Sequence, residues 1–129
     1  MPIRASSFTP PTDRAWARIL GRARRLFPVP FPLRIVRSKR KPSWAEDCYD
    51  AGISVDHTGN TVDGVSVWLH ASHSRAALVD CLFHELAHVL CIYDDAPHGL
   101  KLLHDDAFWI KHGQIFRAWM RDKYGPDEV

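Results

Sequence analysis

His84-Glu85-Leu86-Ala87-His88 sets two imidazoles and a carboxylate within five consecutive residues. On a helix, side chains four residues apart share one face, about one turn (roughly 6 Å) from each other. That spacing lets both rings reach a single tetrahedral metal ion, and Zn²⁺ is its usual occupant. The glutamate beside the first histidine then reaches a metal-activated water and serves as general base. The chemistry this pattern encodes is metal-assisted hydrolysis, above all of peptide bonds.

The surrounding residues strengthen the reading. From Ala76 to Ile92 the chain is apolar almost throughout, with Leu78, Val79, Leu82, Phe83, Leu86, Val89 and Leu90. A helix apolar nearly all round is a buried one. Histidines and a glutamate inside it are costly unless something satisfies them. The plain alternative, hydrogen-bonded core histidines with Glu85 in a salt bridge, gives the glutamate no particular reason to stand there.

A catalytic zinc site takes three protein ligands and keeps one position open. Two histidines downstream compete for the third place. His104 is expected to open the last helix, heading the core-facing stripe His104, Phe108, His112, Ile115 and Trp119. That placement points it inward and holds it rigidly, as a ligand requires. His98 follows Pro97 in a turn-rich stretch and is the alternative. His70, His73 and His112 read as surface or core residues. Asp80, one turn before His84, is placed to orient that ring as an outer carboxylate or to be an ordinary solvated residue. Asp105 and Asp106 suit the first turn of a helix, where the dipole favours negative charge.

With His104-Asp105-Asp106-Ala107-Phe108-Trp109 following the HExxH run, the chain resembles the SprT-like (Spartan-type) zinc metallopeptidases and their small phage-encoded relatives. In that family the third histidine lies in a His-Gly-x-x-(Phe/Trp) pattern on the next helix. The pattern maps onto His104 and Phe108, with Asp105 where glycine is common; His98-Gly99 matches only its first half. The resemblance spans roughly residues 65–120. It implies a zincin-like fold, Zn²⁺ on His84, His88 and His104, Glu85 as the base, and a polypeptide substrate paired with the strand that precedes the motif helix. That strand is Val65–Leu69. No oxyanion donor stands out; Tyr93, Arg117 and Tyr124 are the polar candidates. The metzincin pattern does not fit, because Cys91 and Asp94 stand where its glycine and third histidine belong.

The elements that must position these residues can be read in turn. Residues 1–12 form a flexible lead, and 13–129 a single domain. Thr12 or Asp13 caps a helix running to about Leu26, with Ala15, Trp16, Ile19, Leu20 and Leu26 as its buried stripe. Pro28, Pro30 and Pro32 then enforce extended backbone. Strands follow at Leu33–Arg37, Tyr49–Val55 and Gly64–His70, with a turn around His57–Asn60. Ser72 or Ser74 caps the motif helix, which ends near Tyr93–Asp95 before Pro97. A last helix runs from His104 or Asp105 to Lys123. The expected architecture is α+β: a small antiparallel three-stranded sheet packed with an N-terminal helix, the buried motif helix and a C-terminal helix.

Composition sets the outer bounds. A chain of 129 residues with 46% hydrophobic content supports one core. The net charge of +2 does not by itself imply a nucleic-acid partner. The first third is nevertheless crowded with Arg14, Arg18, Arg22, Arg24, Arg25, Arg34, Arg37, Lys39, Arg40 and Lys41. They read as a solvated face, with a nucleic-acid contact left open. Cys48, Cys81 and Cys91 are read as free thiols, since Cys81 and Cys91 lie about 15 Å apart along one helix. With no apolar leader and no run expected to approach transmembrane length, a soluble cytoplasmic protein is expected, with no membrane partner. Oligomeric state is not legible. The alternative to a peptidase is a non-catalytic, zinc-stabilised binding module, including a nucleic-acid-associated accessory protein.

Overall fold

The structure is a computed structural model and describes residues 8–45 and 50–123. Helix α1 spans Asp13–Leu26. Thr12 caps it, its Oγ1 accepting from the Ala15 amide at 3.1 Å, and Asp13, Arg24 and Arg25 complement the helix dipole. Trp16, Ile19 and Ala23 are its buried face, with Leu20 and Leu26 partly covered beside them. Of the lead expected over residues 1–12, the first seven lie outside the described residues. The Thr9 carbonyl accepts from the Arg75 amide at 2.9 Å and the Pro11 carbonyl from Arg37 at 2.8 Å.

Strands β1 (Leu33–Ser38), β2 (Ala51–Thr58) and β3 (Thr61–His70) form one sheet in the order β1-β3-β2. The expected antiparallel sheet is therefore corrected to a mixed one: β2 runs antiparallel to β3, but β1 runs parallel to it. The reason lies in the connections and in apolarity. A tight turn at Gly59 (φ 60°) fastens β2 to β3 as a hairpin. The connection from β1 to β2 is long enough to carry the chain across, leaving β3 to enter between them. β3 carries Val65, Val67, Trp68 and Leu69, all fully or almost fully buried. The central place, covered on both faces and bonded on both edges, suits it best. Tyr49, expected to start the second strand, lies outside the described residues.

Helix α2 spans Arg75–Asp94 and is capped by Ser74, whose Oγ accepts from the Ala77 amide at 3.3 Å. A one-turn helix, α3 (Ala96–Gly99), interrupts the expected connector. Helix α4 spans Asp106–Lys123. The core lies between one face of the sheet (Ile35, Val65, Val67, Leu69) and the apolar faces of α1, α2 and α4, including Leu78, Leu82, Leu86, Phe108, Ile115 and Trp119. On the opposite sheet face Trp68 is fully buried, its Nε1 donating to Ser38 Oγ at 3.1 Å, and a 3-10 turn, Ser43–Ala45, follows β1.

By length and composition α2 is apolar enough to cross a membrane, with a mean hydropathy of 1.5, which corrects the expectation that no run reaches that length. Half of that window is buried within the molecule, because α2 is the central core helix against sheet and α4.

Candidate metal centre

α2 carries His84 and His88 one turn apart, with ring centroids separated by 5.3 Å. The third imidazole arrives from the connector. His104 was expected on the last helix and turned inward, but α4 begins at Asp106, and His104 stands ahead of it in the connector as an exposed residue. Leu102 takes a left-handed conformation (φ 52°), which reverses the chain two residues before the histidine. His104 Nε2 comes to 3.1 Å from His88 Nε2. One ligand nitrogen from each of His84, His88 and His104 lies within 4.8 Å of the others. Three nitrogens at about 2.0–2.1 Å from one tetrahedral ion stand roughly 3.4 Å apart, so small ring movements close this cluster on a metal.

Beneath the rings lies Phe108, fully buried, with its centroid 4.9, 4.6 and 4.8 Å from those of His84, His88 and His104. Phe108 gives the cluster an apolar floor. His88 is pushed down to about 4 by burial first, then by His84 and His104. His84 is lowered by burial, with His104 and His112 adding to it. Both effects keep the imidazoles neutral, the form that donates a lone pair to a metal.

Glu85 is 6% exposed, and its Oε2 is buried with no hydrogen-bond partner among the described residues. Burial pushes its carboxyl up to about 7. A buried, unpartnered carboxylate oxygen costs free energy unless something absent from the chain faces it.

His98 does not join the cluster. Its Nε2 donates to Asp105 Oδ2, while Asp105 Oδ1 accepts from the Phe108 amide at 3.2 Å and caps α4. Asp105 thus joins α3 to the start of α4, immediately after His104. Gly99 fixes α3 from the other side: a Cβ there would lie 2.5 Å from the Ile92 amide nitrogen, so only glycine fits against the end of α2. Lys111 pairs with Asp94 and ties α4 to that same end. Nothing in the spacing of these residues announces the arrangement, because it depends on how the connector doubles back.

The remaining candidates lie elsewhere. Asp80 is exposed and makes no hydrogen bond to His84, so the outer-carboxylate role is not realised. His70 and His73 satisfy themselves at the far end of β3, and His112 is half-buried against Phe108 and Trp109. Tyr93 is exposed and packs on Phe31; Arg117 is exposed; Tyr124 lies outside the described residues. β3 cannot pair with a substrate as expected, because both its edges are already taken by β1 and β2.

Three histidines are therefore close enough to bind one metal ion, with a buried carboxyl next in sequence to the first. Compared with protein-family models, with curated proteins and with solved structures, the chain matches none.

Proposed function

We propose that this protein is a zinc-dependent peptidase of the SprT-like kind, hydrolysing polypeptides with His84, His88 and His104 as metal ligands and Glu85 as general base. The observation that carries this reading is Glu85: a carboxyl with a buried oxygen that has no partner among the described residues, next in sequence to the first of three imidazoles whose nitrogens converge. A metal staple would use the imidazoles and have no need of that carboxylate.

The donor set fits Zn²⁺, which takes neutral imidazole nitrogens readily and leaves a fourth position open with three ligands. When bound, Zn²⁺ would polarise a carbonyl and acidify water. The chain supplies the rest. His84 and His88 are held neutral by burial and so bind without first losing a proton. Glu85 Oε2 takes the proton of the attacking water and passes it to the leaving amine nitrogen, and an affinity near neutrality suits both transfers. Phe108 excludes water from beneath the rings.

For the polypeptide, β2 is the natural template. Among the described residues it is an edge strand with no strand paired to its outer side, so an extended chain can add to the sheet there. Its head lies close to α2: the Asp50 carbonyl accepts from His73 Nε2 at 3.0 Å, and that nitrogen lies 3.9 Å from the sulfur of Cys81, one turn before Glu85. Free thiols at Cys81 and Cys91 suit a reducing cytoplasm.

The deciding experiment is Glu85→Gln, assayed on an unfolded polypeptide with metal content measured in parallel. Hydrolysis should disappear while one equivalent of zinc and the fold persist. A variant that still cleaves overturns Glu85 as base. A zinc-loaded wild type that cleaves nothing points to the metal-stabilised binding module instead.

A further inference from the structure

The basic first third of the chain resolves into two populations. Arg22 and Arg25 pair with Asp122, Arg24 donates to the Leu33 carbonyl, and Arg37 binds Asp13 and the Pro11 carbonyl. These arginines bind the fold together. Arg34 and Arg40 are different: both are exposed, and neither guanidinium has a partner among the described residues.

Arg34 and Arg40 stand with Lys41 around a cavity of about 550 Å³ on the sheet face away from the helices and the histidine cluster. Val36, Ser38 and Ser66 form its floor, Arg34 standing directly across from Ser66 in the β1–β3 register. Pro42, Ser43 and Trp44 form its wall, and Trp44 keeps 39% of its surface exposed. The wall is anchored. Ser38 Oγ donates to the Arg40 carbonyl at 2.7 Å, and the Ala45 amide donates to the Pro42 carbonyl at 3.0 Å. Among the described residues no carboxylate lines it.

We propose that this cavity binds a nucleoside monophosphate, with a planar base on the Trp44 indole and a phosphate held by Arg34 and Arg40. The volume is that of a small-molecule site and far exceeds a bare phosphate ion. Guanidinium groups match phosphate oxygens in fork geometry, and serine hydroxyls can serve a ribose or phosphate. An indole face accepts any base by stacking. Trp44, the single aromatic among the described lining residues, argues for one base rather than a strand, which would need successive stacking platforms. The site is independent of the metal centre.

Calorimetric titration of the full chain with adenosine monophosphate, adenosine, inorganic phosphate and a single-stranded thymidine dodecamer tests this. The monophosphate should bind in one equivalent, with adenosine and phosphate each at least about tenfold weaker. Trp44→Ala should weaken the monophosphate about fivefold or more. The Arg34→Ala/Arg40→Ala double variant should abolish binding, and Arg14→Ala on α1 should leave it unchanged. The proposal is overturned by silence at millimolar monophosphate, by phosphate binding as tightly as the monophosphate, by the dodecamer binding where the monophosphate does not, or by a double variant that binds like wild type. Circular dichroism of the variants, all altered at exposed side chains, separates lost binding from lost fold.

Discussion

Two groups of histidines flank the start of α2, and they differ in where their nitrogens go. In the first, His70 Nδ1 accepts from the Ser72 amide at 3.0 Å, and His73 Nε2 donates to the Asp50 carbonyl at 3.0 Å. Their rings approach edge to face at 6.1 Å, but each has a protein partner. In the second, His84, His88 and His104 turn their nitrogens toward one another. Both groups are clusters of aromatic rings by distance alone. Among the described residues only the second lacks other partners to account for it, and only the second includes a histidine followed directly in sequence by a carboxyl whose buried oxygen is unpartnered. A histidine's role is thus read from the fate of its ring nitrogens, not from its neighbours' distance.

The sharpest way to break this comparison is to remove one ring from each group and measure zinc. His88→Ala or His104→Ala should abolish stoichiometric metal, whereas His73→Ala should keep one equivalent. Metal lost from His73→Ala, or retained by His104→Ala, erases the distinction.

Next in size is the rate. Glu85→Gln should reduce peptide hydrolysis by about 10²–10⁴-fold or more, the range for a positioned acid–base group, with metal affinity little changed. Initial rates on an unfolded substrate measure it.

The same substitution should reveal what burying the carboxylate costs the metal-free protein. Burial raises Glu85 from 4.5 to about 7, so its protonated form is favoured in the fold. The penalty is absent below the unfolded value, grows as pH rises through this window, and is complete above about 7. At about 1.4 kcal/mol per tenfold change in proton affinity it reaches roughly 3–4 kcal/mol as an upper bound. His88, pushed down to about 4, acts oppositely: stability falls as pH drops below 6.5, in both proteins alike, and cancels in the difference. With chelator present, urea unfolding should show Glu85→Gln more stable than wild type at pH 8, with the gap closing toward pH 4.5. A gap independent of pH would refute the burial account.

The smallest effect concerns His98, the histidine that touches neither group. His98→Ala should weaken zinc binding about 10–100-fold, because the bridge to Asp105 that positions the His104 connector is gone. His98→Gln, which retains a donor, should recover most of the loss. A change confined to thermal stability, with metal affinity intact, would reduce the bridge to a structural role.

Much of this molecule is written locally. Thr12 and Ser74, each one of two expected candidates, cap α1 and α2, because an N-cap depends on only three following amides. The three strands follow the β-branched runs. His84 and His88 share a helix face because 3.6 residues make a turn wherever that helix lies. What local pattern could not carry was strand order, since parallel pairing of β1 with β3 depends on a long connection crossing the sheet and on competition for its centre. Nor could it separate His98 from His104. Both precede the last helix, and only the packing of Gly99 on α2, the reversal at Leu102 and the bond from His98 to Asp105 decide which ring turns toward α2. Periodicity determined the first two imidazoles and the carboxylate. The third imidazole was decided by contacts between residues that no helical or strand period relates, which form only once the connector has folded back on the core.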